Sequence, residues 1–472
     1  MHLVRRTFYW LVSQMVRAGF IDEQRGRRTV DLAWPRIVTG FARMSQQAAD
    51  LAMVGIVLGP PALAGMAFAF AYWRIGNQLS IGLSGGTISQ VSQRFGNDDS
   101  KGIDLATKQS VVVAVLLMVP IAIVFWQVPT FFIRLLGAGP VATEYGAVYL
   151  SVVSVALVFE AQNKIASRVL VGVNDAVTPM YVRAGGAFAN IVLNAIFIFG
   201  MGLGVYGAAL GSVISTVLTT GLFFAGFLGL RFPVIGRFPV RLTLTPPYVD
   251  VALTRQLITI SSPLMARWVV NSLVIFPFLA IVSVFGTGAV AAFEVARRIR
   301  DLSNAPGWGF GLASSSLVGQ QLGAGEEDEA KAYGWDILRF ATVVYLGVAF
   351  VVFVLARPIA LVFVSEPDVL RQAVLFVRVG AFAVIWLGLD MTVTGSLRGA
   401  GDTRWPFYGK LAGLYLFAIP IAYLGVITPV GITAVYVAFI AETFVPAVVS
   451  YLRFWSEGWI AVSRTYRPSP AD

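Results

Sequence analysis

Five acidic residues interrupt the apolar stretches of this chain: Asp50, Glu160, Glu294, Asp390 and Glu442. An ionisable side chain near the centre of a hydrocarbon layer costs about 2.5–3.5 kcal/mol on insertion scales, so it faces protein or water and marks a pathway. Arg43, Arg74, Lys164, Arg183, Arg267, Arg297, Arg298 and Arg378 accompany them. Spacing gives some of these acids structural partners. Glu160 precedes Lys164 by four residues, and Glu294 lies one turn before Arg297 and Arg298, so each can pair on its own helix. Asp50 is different: Arg43 is two turns away, about 10 Å along a helix. Asn190 and Asn194 share one helix face by their spacing, and Ser212 lies on the next stretch at the same depth. A carboxylate, two amides and a hydroxyl are oxygen ligands for a hard cation, and the single carboxylate can alternatively carry a proton.

Other chemistries are excluded by what the chain lacks. It has no cysteine, which removes disulfides, thiolate zinc sites and cysteine nucleophiles. Its one histidine is His2, which removes a Ser-His-Asp triad or a multi-histidine metal site. The dense acidic run Glu326–Glu329 opens a helix, where it is expected to compensate the helix dipole. No enzyme is expected.

The elements that must hold these residues are membrane spans. The 472 residues are 57% hydrophobic and 13% charged, against about 25% charged in a soluble domain. Stretches long enough to cross about 30 Å of hydrocarbon lie near 34–58, 63–91, 107–127, 145–169, 177–200 and 205–229, and again near 257–284, 289–318, 337–356, 371–396, 405–428 and 431–454. The predicted fold is all-α, with about twelve transmembrane helices. Residues 1–31 carry arginines throughout and lack the uninterrupted apolar core of a signal peptide. The net charge of +10 is scattered in short clusters between apolar stretches, which fits membrane topology and no nucleic-acid partner. Assigning connections alternately to the two sides puts twenty-one Lys and Arg residues on one side, from Arg5 to Arg467, and only Arg134, Arg357 and Arg371 on the other. By the positive-inside rule both termini are cytoplasmic.

The chain also repeats itself. Leu170, Gly172, Asp175, Pro179 and Tyr181 recur as Leu397, Gly399, Asp402, Pro406 and Tyr408, and Gly204 recurs as Gly431, with the same separation in every pair. Pro35 and Pro263 match within one residue of that offset. Six spans per half is an even number, so the halves enter from the same side and form a parallel repeat about an axis along the membrane normal, enclosing a central cleft. The expected divisions are a cytoplasmic segment 1–33, an N-lobe 34–229, a cytoplasmic linker 230–256, a C-lobe 257–455 and a cytoplasmic tail 456–472.

Two such halves, Pro35 with Asp50 fifteen residues on, Asn190-Ile-Val-Leu-Asn194 followed by Gly204-Val-Tyr-Gly-Ala-Ala, and Gly395-Ser-Leu-Arg-Gly-Ala-Gly-Asp402 together resemble the multidrug and toxic compound extrusion (MATE) family. The Asp50 and Asn190 pattern is most similar to its DNA-damage-inducible (DinF-like) branch. The resemblance implies a V-shaped, alternating-access antiporter that exchanges Na+ or H+ for organic cations and other amphiphiles, with no further cofactor. Asp50, Asn190, Asn194 and Ser212 match the family's coupling network, although close relatives usually carry an aspartate at the place of Asn194. Asp390 and Asn271 fall near the places of a second ion site used by another branch. Bending of span 1 near Pro35 would accompany occupancy. The cleft for a drug-like substrate is expected to be apolar, with Phe41, Met44, Met53, Met66 and Phe70 as candidates. A single chain in a lipid bilayer is expected to suffice. The alternative function is a flippase of lipid-linked saccharides or lipids, which would need a strongly cationic cavity.

Overall fold

The computed structural model describes residues 2–364 and 366–467, with side chains from residue 5 onward. The end of the expected tail, 468–472, and the side chain of His2 lie outside the described residues. The chain is helical almost throughout: α1 (His2–Arg17), α2 (Glu23–Leu58), α3 (Pro60–Gly96), α4 (Ser100–Gln127), α5 (Pro129–Leu135), α6 (Pro140–Gly172), α7 (Val177–Ala195), α8 (Gly204–Phe227), α9 (Val251–Leu273) and α10 (Ile275–Ser283). There follow α11 (Thr287–Ser303), α12 (Ala305–Gly323), α13 (Glu327–Val354), α14 (Ala356–Leu361), α15 (Pro367–Gly399), α16 (Arg404–Leu411), α17 (Ile419–Ile427), α18 (Thr433–Trp455) and α19 (Gly458–Tyr466). Short π-helical turns, Ile196–Gly200 and Ala412–Ala418, interrupt the fifth and eleventh spans.

Among the described residues, nine helical segments are long and apolar enough to cross a membrane by length and composition. The other three of the twelve spans are α2, α3 and the broken pair α11–α12. Their lower hydropathy has a cause in the residues they carry: Arg36, Arg43, Gln46, Gln47 and Asp50 on α2, Arg74, Asn77 and Gln78 on α3, and Glu294, Arg297, Arg298 and Arg300 on α11. These are helices whose polar side chains need protein or water as neighbours.

The chain forms two compact units, an N-terminal unit of residues 38–265 and a C-terminal unit of residues 266–472 together with residues 1–37. Within each, helices at corresponding places approach to backbone contact. On α3, a Cβ added at Gly65 would lie 2.5 Å from the Ala142 carbonyl oxygen and 2.7 Å from the Gly146 nitrogen of α6. In the C-terminal unit, one added at Gly395 of α15 would overlap the Gly311 carbonyl oxygen of α12. Small residues at crossings are how membrane helices gain packing where lipid offers no hydrophobic drive. The two crossings join corresponding spans, second with fourth and eighth with tenth.

The stretch 230–256 packs onto the N-terminal unit. Phe238 and Val240 are buried in its core, and Lys108 Nζ donates to Thr243 Oγ1 at 2.7 Å and to the Thr245 carbonyl at 2.9 Å. At the other end, α1 and the start of α2 are tied into the C-terminal unit. Phe8 packs edge-on against Phe310 and Phe340, Arg25 pairs with Asp336 at 2.7 Å and Glu329 at 3.2 Å, and Arg28 donates to Tyr333 at 2.9 Å. The acidic run at the start of α13 therefore does more than balance a dipole. Glu327 also holds Arg464 at 2.7 Å and Arg467 at 2.8 Å, so α13 gathers both ends of the chain.

Cysteines introduced singly as Gly139→Cys and Val234→Cys fall at exposed positions in a chain that has none. A membrane-impermeant maleimide is expected to label the first variant from outside intact cells and the second only after permeabilisation; the same sidedness for both would overturn the orientation read from charge.

Candidate functional site

Asp50, on α2 about two-thirds of the way along the first span, is 4% exposed. Asn194 Nδ2, on α7, donates to Asp50 Oδ1 at 2.7 Å and to Asn190 Oδ1 at 3.3 Å. Asn190 Nδ2 in turn donates to Ser212 Oγ at 3.1 Å and Ser215 Oγ at 3.3 Å on α8. The four residues expected to converge form one hydrogen-bonded chain across three helices. The two asparagines are fully buried, on the face of α7 that their spacing dictates. Ser215, one turn beyond Ser212, extends the chain, and the i, i+3 spacing was the available signal for it.

Room for this network depends on Gly211. A Cβ there would overlap Asn194 Oδ1. That oxygen is buried and, among the described residues, accepts no hydrogen bond, an orphaned acceptor on the residue that holds the carboxylate. An unsatisfied amide oxygen together with a carboxylate suits a cation, and the carboxylate alone suits a proton.

The pairing of the other acids isolates Asp50. Arg43 does not turn to it; it lies over the Trp73 ring, donates to Asn77 Oδ1 at 3.1 Å and stands 3.7 Å from Glu160. Glu160 also pairs with Lys164 at 2.9 Å, as spacing predicted, and with Arg183 of α7 at 2.9 Å, which no local spacing foretells. Glu294 pairs with Arg297 at 2.7 Å, and Glu442 with Arg300 at 3.0 Å. Among the described residues, Asp50 is the one of the five intramembrane acids with no ion-pair partner.

Asp390 departs from the expectation of a second ion site. It is buried in an ion pair with Arg267 of α9, accepts from Thr394 at 3.3 Å and from Ser450 of α18 at 3.0 Å, and Asn271 is not among its partners. Arg267 also donates to Thr394 at 2.7 Å. The charge of this carboxylate is thus balanced within the protein by a guanidinium. The C-terminal unit does not repeat the Asp50 network. Aligning the halves on their repeated residues places Phe278, Phe417, Ile421 and Phe439 where the first half has Asp50, Asn190, Asn194 and Ser212. Phe278 and Phe439 both pack on Phe293 at 5.5 Å between ring centres, in the apolar core.

A cavity of about 90 Å³ opens beside Asp50 wholly within the N-terminal unit, with room for several waters. Phe70, stacked at a tilt on Tyr149, lines it, and so do Gln46, Gln47 and Trp73. Met53 and Met66 are buried in the unit's core, while Phe41 and Met44 are exposed and do not line the cavity. A methionine on an amphipathic span fills a core as readily as a cleft, and only the packing tells them apart.

Comparison with known proteins places both halves in one sequence family. A family model described as MatE matches residues 35–196 and 263–424. Among curated proteins, the probable multidrug resistance protein NorM of Thermotoga maritima is 26% identical over 62% of this chain and 63% of its own length. The probable multidrug resistance protein YoeA of Bacillus subtilis is 23% identical over 88% and 90%. A crystal structure described as MATE in the bent conformation superposes with a TM-score of 0.84 at 24% identity, over 94% of this chain and 97% of that one. An outward-facing multidrug resistance MATE family transporter of the MOP superfamily gives 0.83 at 22%, over 93% and 96%.

Removing one partner of the buried Arg267–Asp390 pair strands a charge, so Arg267→Met is expected to lower stability by about 3–5 kcal/mol. Adding Asp390→Leu to it should recover most of that loss. Unfolding of the purified protein by SDS titration in dodecyl maltoside reads both; a double variant as unstable as the single would contradict the pairing.

Proposed function

The chain belongs to the MatE family, and from that premise we infer that it is a secondary active multidrug efflux transporter of the plasma membrane, exchanging Na+ or H+ for amphiphilic compounds by alternating access. The observation that carries this reading is the unpaired state of Asp50. A carboxylate buried without a counter-charge is costly unless a cation or a proton balances it, and the other four intramembrane acids already have their balance in the protein. Asp50 is the place where the balance has to come from outside. Asn190, Asn194 and Ser212 orient it and offer neutral oxygens to a cation. Occupancy would change the charge carried by α2, and Pro35, which cannot donate to the Asp31 carbonyl four residues before it, is the weak point at which that helix would bend. Each charge moved through 100 mV supplies about 2.3 kcal/mol, enough to sustain a substrate gradient of roughly fortyfold. The relatives named as multidrug resistance proteins support the substrate class, and the charge asymmetry of the connections supports cytoplasmic termini.

Asp50→Asn tests the assignment. A neutral side chain cannot alternate between charged and occupied states, while its amide oxygen can still accept from Asn194, so the variant is expected to fold and insert normally and to lose gradient-driven efflux. The measurement is dye efflux from liposomes holding purified protein, with Na+ and H+ gradients imposed independently. Wild-type rates in Asp50→Asn would overturn the reading. Asn190→Ala and Asn194→Ala remove one neutral ligand each and should weaken coupling less.

In the same liposomes Asn194→Asp, which converts the orphaned amide to a second carboxylate, is expected to increase the dependence on Na+. An unchanged ion dependence would show that the cation does not meet this position.

A further inference from the structure

Two arginines and two acids, Arg43, Arg183, Asp50 and Glu160, line the cavity beside Asp50, and Lys164 adds a third cation through its pair with Glu160. Arg43 of α2, Lys164 of α6 and Arg183 of α7 share a single carboxylate, Glu160, and all three approach the same oxygen, Oε1, at 3.7, 2.9 and 2.9 Å. Counting Asp50 of the same cavity, three cations face two acids and leave one positive charge over. Arg43 and Arg183 both line the cavity. A guanidinium offers five N–H donors in a fixed fork. Among the described residues Arg43 spends one hydrogen bond on Asn77 and Arg183 one on Glu160. The remaining donors are available to whatever enters, and a guanidinium pair is matched in geometry to a carboxylate, sulfonate or phosphate. Trp73 and Phe70 line the same cavity and offer ring faces to an adjoining apolar body.

We propose that this cavity seats the anionic group of its cargo between Arg43 and Arg183, so that the preferred substrate is an amphiphile bearing a carboxylate, sulfonate or phosphate and not a simple organic cation. The proposal rests on the efflux reading above and narrows its substrate class. Glu160 is then a resident counter-ion that holds the three cations in place and competes for them. Asp50 lines the same cavity and disfavours a second negative charge on the cargo.

Rhodamine 110 and rhodamine 123 are a suitable pair, because they share one ring system and differ in a free carboxyl against its methyl ester. Their binding to the full-length protein in dodecyl maltoside, which carries no charge, is read by fluorescence anisotropy. The acid is expected to bind at least fivefold more tightly than the ester. Arg43→Gln and Arg183→Gln should each cut the acid's affinity at least fivefold while leaving the ester's within twofold, and Glu160→Gln, which removes the competitor and keeps all three cations, should raise the acid's affinity. Equal binding, a preference for the ester, or arginine variants that still bind the ester with the acid's preference intact would overturn the proposal while leaving the efflux reading standing. Displacement of both dyes by a few phosphatidylglycerol molecules per protein would assign the seat to a lipid headgroup and overturn it too. Absence of binding by either dye would overturn the multidrug reading itself and this proposal with it. Where an arginine variant loses its fold, shown by loss of the ester as well, the wild-type preference and the Glu160→Gln gain decide the question.

Discussion

Hydrocarbon offers no water to a charge, and the interior of this protein is organised by that fact. Among the described residues each intramembrane acid but one is held by a base, and three of the four held acids tie together helices that sequence keeps far apart. Glu160 gathers α2, α6 and α7; Asp390 joins α9, α15 and α18 through Arg267 and Ser450; Glu442 joins α18 to α11 through Arg300. Such pairs are costly to bury and costlier to break, which makes them markers of fixed geometry more than sources of stability. Against that background a carboxylate held only by an amide stands out as the site left open for something else.

The two halves share a plan and diverge in its use. The close crossings at Gly65 with Gly146 and at Gly311 with Gly395 show that the packing of the second and fourth spans survives in both. The polar network survives in one. Phe278 and Phe439, at the corresponding places of the second half, fill the space that in the first half holds a carboxylate, a serine and a cavity. Arg183 and Lys410, at equivalent places on the fifth and eleventh spans, are both cations near acids: Arg183 has Glu160 of the fourth span, and Lys410 has Glu442 of the twelfth as well as Asp390 of the tenth.

Much of this is legible in the sequence. Span count, repeat offset and the convergence of Asp50 with Asn190, Asn194 and Ser212 follow from hydropathy, spacing and depth, because helical periodicity fixes faces and the bilayer fixes depth. Pairings within one helix, such as Glu160 with Lys164, are equally readable. What escapes is contact between helices whose relative rotation no periodicity sets. Arg183 meeting Glu160, Arg267 capturing Asp390, Phe8 wedging against Phe310, and Met66 turning inward to the core all depend on which neighbour a face is pressed against.

The ties that gather both ends of the chain at α13 have a consequence for assembly. Arg25 and Asp336 are 311 residues apart. At a synthesis rate of about 5–20 residues per second, the first two helices wait on the order of 15–60 s before the acids that hold them have been made. Through that interval Arg25 and Arg28 must be stabilised by water, lipid headgroups or insertion machinery. The C-terminal unit therefore closes late, when α19 brings Arg464 to Glu327, and a chain truncated before α13 would keep Phe310 for Phe8 but lack the acids that hold Arg25.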